Sequence, residues 1–368
     1  MHASITSVDL KSLHADISAE LNAAFQRVVA SGRYVLGPEV ESFEQAFAQY
    51  CEADFCVGVA SGLDALKLAL MALDIGNDDE VIVPSHAYQA TWLAVISVGA
   101  KPVPVEPAGD GYLIDPGGIA QAITKRTRAI MPIHLYGEPC DMSSICTIAS
   151  EAGLAIIEDA AQAHGAKWKG MPLGTHGDAV CWSFYPTKNL GALGDGGAVT
   201  TNNRDVAKKI RTLRNYGVDS ERNLEEKGLN SRLDELQAAL LSVKLAYLDR
   251  WNNAKRRIAG QYDKRLAGSK VKLPSPADDS LHAWHQYVVQ LECRNEARRK
   301  LADRGISTEI HYPVPVANQS LFQRRDYRLE PLPKAIALSQ RILSLPIHPG
   351  LSEAEVLTIA QVLRSVTA

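Results

Sequence analysis

The feature that most constrains the fold is a regular alternation of short apolar runs and amphipathic stretches. The apolar runs are predicted to be strands and cover residues 55–60, 80–84, 101–105, 128–133, 154–157, 179–183 and 198–201. Amphipathic segments at 62–74, 88–98 and 141–152 are predicted to be helices between them. Strands that alternate with helices favour an α/β fold with a mostly parallel sheet covered on both faces. Ligands of such sheets bind beyond the carboxyl ends of the strands.

A second region begins with a long helical pattern. Apolar residues recur at three- and four-residue steps between 231 and 265, which predicts one helix leading into a smaller C-terminal α/β domain. That domain is predicted to contain a strand at 284–291, a helix at 295–304, a short strand at 308–312 and a last helix from Ser352. We therefore predict two domains, residues 1–250 and residues 251–368.

Composition argues against several classes of function. The chain has 368 residues and a formal net charge of −3, so neither nucleic acid nor an anionic membrane is an expected partner. No segment approaches the ~20 apolar residues of a membrane span, and the N-terminus does not read as a secretory signal. The six cysteines show no pairing pattern and predict free thiols of a cytoplasmic protein. The scattered histidines predict no metal site.

Two motifs carry the candidate chemistry. Asp159 ends an apolar run and is followed by Gln162, whereas Lys188 follows Ser183 in the stretch Ser-Phe-Tyr-Pro-Thr-Lys-Asn-Leu-Gly-Ala. A lysine amine can form a Schiff base with pyridoxal 5′-phosphate (PLP), and a carboxylate can keep its pyridine nitrogen protonated. Taken singly, Lys188 reads as a solvated loop lysine and Asp159 as a helix cap. Their combination favours PLP chemistry.

The glycine-rich run after the lysine argues against a nicotinamide dehydrogenase. Residues 191–197 read Gly-Ala-Leu-Gly-Asp-Gly-Gly, which lacks the Gly-x-Gly-x-x-Gly order of a dinucleotide site. The run also follows the lysine and not the first strand, where a dinucleotide motif belongs.

Three segments together resemble the DegT/StrS group of sugar aminotransferases: residues 158–165, residues 183–192 and residues 230–239. The resemblance extends from Gly37 to Pro346 and implies a fold type I PLP-dependent transferase. It implies that Lys188 forms the Schiff base with PLP and then serves as the base for the proton shift. It also implies that Asp159 pairs with the pyridine nitrogen and that Gln162 lies near the phenolic oxygen of the cofactor.

The same resemblance implies how the phosphate is held. Ser183 and the turn Ser61-Gly62-Leu63 match phosphate-binding segments, in which backbone N–H groups at a helix N-terminus meet the anion. Many members carry threonine where this chain has Leu63, so one hydroxyl donor is missing. Asn230 matches an asparagine that reaches the phosphate from the partner subunit, which implies a homodimer with shared active sites.

Further matches lie on the expected substrate side. Tyr88 matches the aromatic residue that stacks on the pyridine ring, and His311 and Tyr312 match a segment near the sugar. Tyr185 and Tyr216 are additional candidates for sugar contacts.

The function implied by this resemblance is transfer of an amino group, by family analogy from L-glutamate, to a nucleotide-linked keto sugar. Residues 61–66, 90–95, 104–107, 134–137 and 189–197 most resemble enzymes that aminate carbon 3 of dTDP-3-keto-6-deoxyhexoses. One alternative is amination at carbon 4 of a 4-keto-6-deoxyhexose. Another is a PLP sugar dehydratase, which carries histidine in place of the lysine, so Lys188 argues against it. A third is a non-catalytic PLP-binding regulator, which would not need Lys188, Asp159 and Gln162 together.

Overall fold

A computed structural model describes residues 4–219, 221–324 and 331–367. Its strands are β1 (Phe55–Val59), β2 (Glu80–Pro84), β3 (Lys101–Val105), β4 (Thr127–Ile130), β5 (Ala155–Asp159), β6 (Lys167–Trp168), β7 (Met171–Pro172), β8 (Ala179–Ser183), β9 (Gly197–Thr201), β10 (Ser280–Leu281), β11 (Tyr287–Gln290) and β12 (Ile342–Leu345). Seven of them form one sheet in the order β1-β9-β8-β5-β4-β2-β3, in which only β9 runs antiparallel to its neighbours. The predicted α/β fold with a mostly parallel sheet is confirmed.

The described helices pack on this sheet, on one another and on the C-terminal strands β11 and β12. They are α1 (Leu10–Ala15), α2 (Ser18–Ser31), α3 (Pro38–Tyr50), α4 (Gly62–Ala72), α5 (Gln89–Ser97), α6 (Pro116–Ala122), α7 (Met142–Ala152), α8 (Arg204–Leu213), α9 (Glu235–Leu245), α10 (Leu248–Leu266), α11 (Arg294–Ala302), α12 (Pro333–Arg341) and α13 (Glu353–Thr367), with short 3-10 turns at Leu135–Gly137 and Val316–Asn318. None of the helices in the described part of the chain is long and apolar enough to cross a membrane.

Two apolar layers sandwich the sheet because neighbouring strand residues face opposite sides. In β2, Val81 and Val83 belong to the apolar layer that contains α4 and α5, whereas Ile82 between them belongs to the layer on the other face, which contains α3 and α7. This double burial explains why the strands read as continuous apolar runs instead of alternating patterns.

The long helix predicted between residues 231 and 265 is wrong in detail, because the structure has two helices there, α9 and α10. At the junction, the Tyr247 N–H donates to the carbonyl of Lys244 at 3.0 Å, a three-residue step that tightens the chain out of α-helical register. The apolar period continues across the break, which is why the sequence reads as one helix.

The C-terminal region differs from the prediction at two places. Residues 308–312 do not form a strand; only a bridge between Glu309 and Ser344 is present. The partner of β11 is instead β12, which directly follows α12, and neither was predicted. The division into two domains at residue 250 stays a prediction. Helix α10 runs through residue 250, and Ile5, from the predicted first domain, forms a bridge with Ile306 in the predicted second domain.

Candidate active site

The carboxyl ends of β5 and β8 and the N-terminal ends of α4 and α5 enclose a cavity of about 490 Å³. A volume of this size suits a small-molecule cofactor with part of its substrate. The predicted site residues that line it are Ser61, Gly62, Leu63, Tyr88, Asp159, Gln162, Ser183, Tyr185, Lys188, His311 and Tyr312. Residues from five separate segments therefore converge on one place, at the sheet edge where parallel α/β proteins bind ligands.

Lys188 lies in the turn after β8, where its backbone N–H donates to the carbonyl of Tyr185 at 2.8 Å. Exclusion of water from its amine lowers the pKa of Lys188 to about 8, although the nearby Asp159 carboxylate acts in the opposite direction. A lysine with this pKa carries a sizeable neutral fraction near neutral pH, which is the form that attacks an aldehyde.

Asp159 is the last residue of β5, and its carboxylate is held at both oxygens. Oδ2 accepts a hydrogen bond from the Thr91 hydroxyl at 2.7 Å, and Oδ1 accepts one from the Ala161 N–H at 3.1 Å. Burial raises the pKa of Asp159, whereas these two hydrogen bonds and Lys188 act to lower it. The residues after Asp159 form a turn and not a helix, so Asp159 is not a helix cap.

Gln162 links the cavity floor to the C-terminal region. Its Oε1 accepts from the Tyr136 N–H at 2.6 Å, and its Nε2 donates to the Tyr312 hydroxyl at 2.9 Å. The Tyr136 hydroxyl in turn donates to the carbonyl of His311. This chain of contacts fixes the orientation of the amide and places the segment 311–312 over the cavity.

His311 is a neutral histidine in this arrangement. Its Nδ1 lies 2.8 Å from the Ser344 hydroxyl, and burial together with the charge of Lys188 lowers the pKa of His311 to about 4. A neutral imidazole at the cavity wall can form hydrogen bonds without repelling Lys188.

The turn at the start of α4 forms a cradle for an anion. Ser61 caps the helix by accepting from the Asp64 N–H at 3.1 Å, so the N–H groups of the next two residues have no partner within the helix. A Cβ on Gly62 would lie 2.6 Å from the Cβ of Ser183, which shows how closely the two segments approach. Such a helix N-terminus beside a serine hydroxyl fits the phosphate of PLP. Leu63 lines the cavity but offers no hydroxyl.

Exposed aromatic rings form the walls of the cavity. Tyr88 is 49% exposed and Tyr185 is 53% exposed, which is unusual for such large side chains. The ring of Tyr88 lies 5.4 Å from that of Tyr312, measured between centroids. These surfaces suit a flat aromatic ring and a sugar.

Two predicted residues lie outside this cavity. Asn230 lines a separate open groove with Val35 and Asp234, and Tyr216 lies exposed beneath the guanidinium of Arg232. Within one subunit, therefore, Asn230 is not part of the phosphate cradle.

A buried polar cluster behind the lysine was not predicted. The Asn189 side chain accepts from Lys255 Nζ at 2.9 Å and lies 3.3 Å from His285 Nδ1, while its amide donates to Asn252 and to the carbonyl of Ala283. Both polar atoms of the Asn189 side chain thus have two partners each, which holds this side chain in place beside Lys188. Burial lowers the pKa of Lys255 to about 7.

Thr91 is the other site residue that the sequence analysis missed. It stands three residues after Tyr88 in the first turn of α5, and this spacing is the signal that places both on one side of the helix. Among the described residues, no group of three His, Cys, Asp or Glu side chains is placed to hold a metal ion.

A nucleophilic lysine, a fixed carboxylate and an anion cradle around one cavity at the carboxyl ends of a parallel sheet define a PLP-dependent transferase of fold type I. The chain belongs to the DegT/DnrJ/EryC1/StrS aminotransferase family, which it matches over residues 15–364. It is therefore an aminotransferase. PLP is the cofactor of this family, and similar solved structures include forms with PLP and with pyridoxamine phosphate.

Two relatives and one solved structure bear on its activity. The dTDP-3-amino-3,4,6-trideoxy-alpha-D-glucose transaminase of Streptomyces venezuelae is 49% identical over 358 residues, covering 97% of this chain and 94% of the relative. The dTDP-3-amino-3,6-dideoxy-alpha-D-galactopyranose transaminase of Aneurinibacillus thermoaerophilus is 47% identical over 352 residues, covering 96% of each. The crystal structure of DesV from S. venezuelae with a ketimine intermediate has a TM-score of 0.95 and 48% identity, covering 99% of this chain and 98% of that one.

Proposed function

We propose that this aminotransferase transfers an amino group from L-glutamate to carbon 3 of a dTDP-linked 3-keto-6-deoxyhexose. The observation that carries the proposal is the cavity in which Lys188, Asp159 and the Gly62 cradle meet. The choice of carbon 3 is supported by the two relatives named above, because their sugars differ while both carry the amino group at carbon 3.

Each of these cavity residues has a separate role in the proposed reaction. PLP, when bound, supplies an aldehyde for the amine and a ring that accepts electrons from the reacting carbon. Lys188 would hold the cofactor and would take and return a proton at the reacting carbon. Asp159 would keep the pyridine nitrogen protonated, and Gln162 would hold the phenolic oxygen. Ser183 and the N-terminus of α4 hold the phosphate.

We assign the contacts with the cofactor ring and with the sugar to four ring-bearing side chains that line the cavity. Tyr88 stacks on the cofactor ring, and Tyr185, His311 and Tyr312 contact the nucleotide-linked sugar. Their support is position alone: all four line the cavity, and Gln162 holds Tyr312 in place. Tyr216 lies outside it, so it reaches a sugar only if it belongs to a neighbouring active site.

We also propose a homodimer in which Asn230 of the partner subunit completes the phosphate cradle. Asn230 lines a groove separate from its own subunit's Ser183, while Asp195 borders both the groove and the cavity. Exposed apolar side chains lie beside the groove, among them Val35, Leu193 and Tyr216. Apolar surface of this kind favours burial against a second copy.

A cytoplasmic location remains part of the proposal. All six cysteines are free, and reducing compartments are where unpaired thiols persist. Fractionation of the native host, with detection in the cytoplasmic fraction, tests it.

A panel of nucleotide keto sugars tests the reaction. Purified enzyme with PLP and L-glutamate is given 3-keto and 4-keto sugars on dTDP and UDP, and release of 2-oxoglutarate is measured. We expect turnover with dTDP-3-keto-6-deoxyhexoses and an amine at carbon 3 in the product NMR spectrum. An amine at carbon 4 refutes the regiochemistry, loss of water without amine transfer supports a dehydratase, and binding of PLP without any turnover supports a regulator. The Lys188→Ala variant, assayed in the same way, gives the background rate.

A further inference from the structure

Thr91 contacts the carboxylate that is expected to hold the cofactor ring. Its hydroxyl donates to Asp159 Oδ2 at 2.7 Å, and the side chain is fully buried. The Asp159 carboxylate, which faces the cavity, receives one more bond, from the Ala161 N–H to Oδ1. Each oxygen therefore has one donor from the protein and keeps a lone pair for a ligand.

This arrangement favours the ionised carboxylate. A hydroxyl that donates to an oxygen stabilises the negative charge, and bonds to charged groups are among the stronger ones in proteins. Thr91 also lies in the first turn of α5, where the helix dipole favours negative charge. Burial acts against ionisation of Asp159 and raises its pKa overall, so these contacts offset part of that cost.

The same helix end carries Tyr88, which is expected to stack on the ring, and Thr91, which contacts Asp159. Tyr88 is the N-cap residue of α5, and Thr91 stands three residues later in its first turn. A shift of α5 would therefore move the stacking ring and the donor to Asp159 together. The buried Trp92, whose indole N–H donates to the carbonyl of Pro84 at 3.0 Å, anchors this helix end to β2.

We propose that Thr91 is a positioning residue for the reaction: it keeps the Asp159 carboxylate ionised and aimed at the pyridine nitrogen of PLP. The inference rests on the proposed role of Asp159. It extends that role to a residue that acts through Asp159, to which its hydroxyl donates.

Thr91→Val and Thr91→Ser test this proposal. Valine has nearly the same shape without a hydroxyl, so we expect kcat to fall by about tenfold to a hundredfold, the range for losing a bond to a charged group. KM for the keto sugar should stay within about twofold of wild type. Serine restores the donor and should recover most of the rate. Thr147→Val, an exposed helical threonine bonded to the carbonyl of Ser143, is the matched control.

A spectroscopic measurement separates positioning from general damage. The visible absorbance of the cofactor bound to Lys188 is titrated with pH in each variant. A less protonated ring withdraws fewer electrons, so the pKa of the Schiff-base nitrogen should rise in Thr91→Val and return toward wild type in Thr91→Ser. Wild-type titration and kcat in a correctly folded Thr91→Val would overturn the proposal and make Thr91 a packing residue.

The double variant Thr91→Val/Asp159→Asn tests whether Thr91 acts through the charge of Asp159. If Thr91 acts only through the carboxylate charge, its effect disappears once that charge is gone, so the double variant should match Asp159→Asn. Additive losses would refute the proposal. If Asp159→Asn alone behaves as wild type while the enzyme transaminates, the assigned role of Asp159 fails and the Thr91 inference fails with it.

Discussion

Asp159→Asn removes one charge from the cavity while leaving its hydrogen bonds intact. The asparagine Oδ1 can keep accepting from the Ala161 N–H, and its Nδ2 can donate to the Thr91 hydroxyl, which then acts as acceptor. No buried polar group is left unpaired. We therefore expect the free energy of unfolding to change by less than about 1 kcal/mol.

The effect on the reaction is much larger, because the protonated pyridine nitrogen loses its counter-charge. Removing one partner of a buried ion pair costs roughly 3–5 kcal/mol. At about 1.4 kcal/mol per tenfold, this corresponds to a rate loss on the order of 10²- to 10⁴-fold. The cavity admits water, which screens the charge, so we expect the lower end of that range, a loss of about a hundredfold in kcat.

The measurement is a single-turnover reaction with L-glutamate, followed by the absorbance of the bound cofactor. Each preparation is first saturated with PLP, so that weaker cofactor binding does not mimic a slower reaction. Asp178→Asn is the matched control, because the Asp178 carboxylate also accepts a backbone N–H, from Ile156 at 2.8 Å, but lies outside the cavity. A saturated Asp159→Asn that reacts at the wild-type rate would refute the assignment and leave Asp159 with only its local turn contacts.

Three further predictions concern lysines and the second subunit. Borohydride reduction of the holoenzyme followed by peptide mapping should label Lys188, and label on another lysine would contradict the assignment. Mixing the inactive variants Lys188→Ala and Asn230→Asp should restore activity after subunit exchange, because one site of each mixed dimer then carries neither defect; no recovery, or a fully active monomer by sedimentation, would rule out shared sites. Lys255→Met should raise thermal stability most below pH 7, because folding lowers the pKa of Lys255 from 10.5 to about 7. As the pH rises from about 7 to 10.5, the stability of the wild type should increase relative to that of the variant. A stability difference that does not change with pH would contradict the buried charge.

The strands of the main sheet were predictable because burial on both faces demands apolar residues throughout. The predicted runs at 80–84, 101–105 and 179–183 coincide with β2, β3 and β8. A run of this kind can be recognised as a strand without knowing which strands pair with it. By contrast, residues 308–312 carry strand-like side chains, yet the pairing position on β11 is taken by β12. Pairing is decided by tertiary geometry, which the local pattern of a short segment does not contain.

Site residues that belong to a recognisable motif could be predicted from the sequence. Residues whose role depends on being buried beside the site could not. Lys255 begins a charged run, Lys-Arg-Arg at 255–257, and reads as part of a solvated face. It nevertheless occupies the apolar stripe of α10, four residues after Trp251 and three before Ile258, and both of these are buried. A lysine at a position where the helical period expects an apolar residue is the signal that would have identified Lys255 as buried. Thr91 offers only its spacing from Tyr88, because its partner Asp159 is 68 residues away in the chain.

The comparison of Lys188 with Lys255 shows why a lowered pKa alone does not identify the catalytic lysine. Burial lowers the pKa of both, to about 8 and about 7. Lys255, however, donates its amine to Asn189 and borders a second cavity of only about 30 Å³, which holds little more than one water molecule. Lys188 also borders the cavity of about 490 Å³, opposite the Gly62 cradle and beside Asp159. Of these two lysines, we therefore expect Lys188 to be the one that a phosphate-anchored aldehyde reaches, whereas Lys255 donates to the side chain of the neighbouring Asn189.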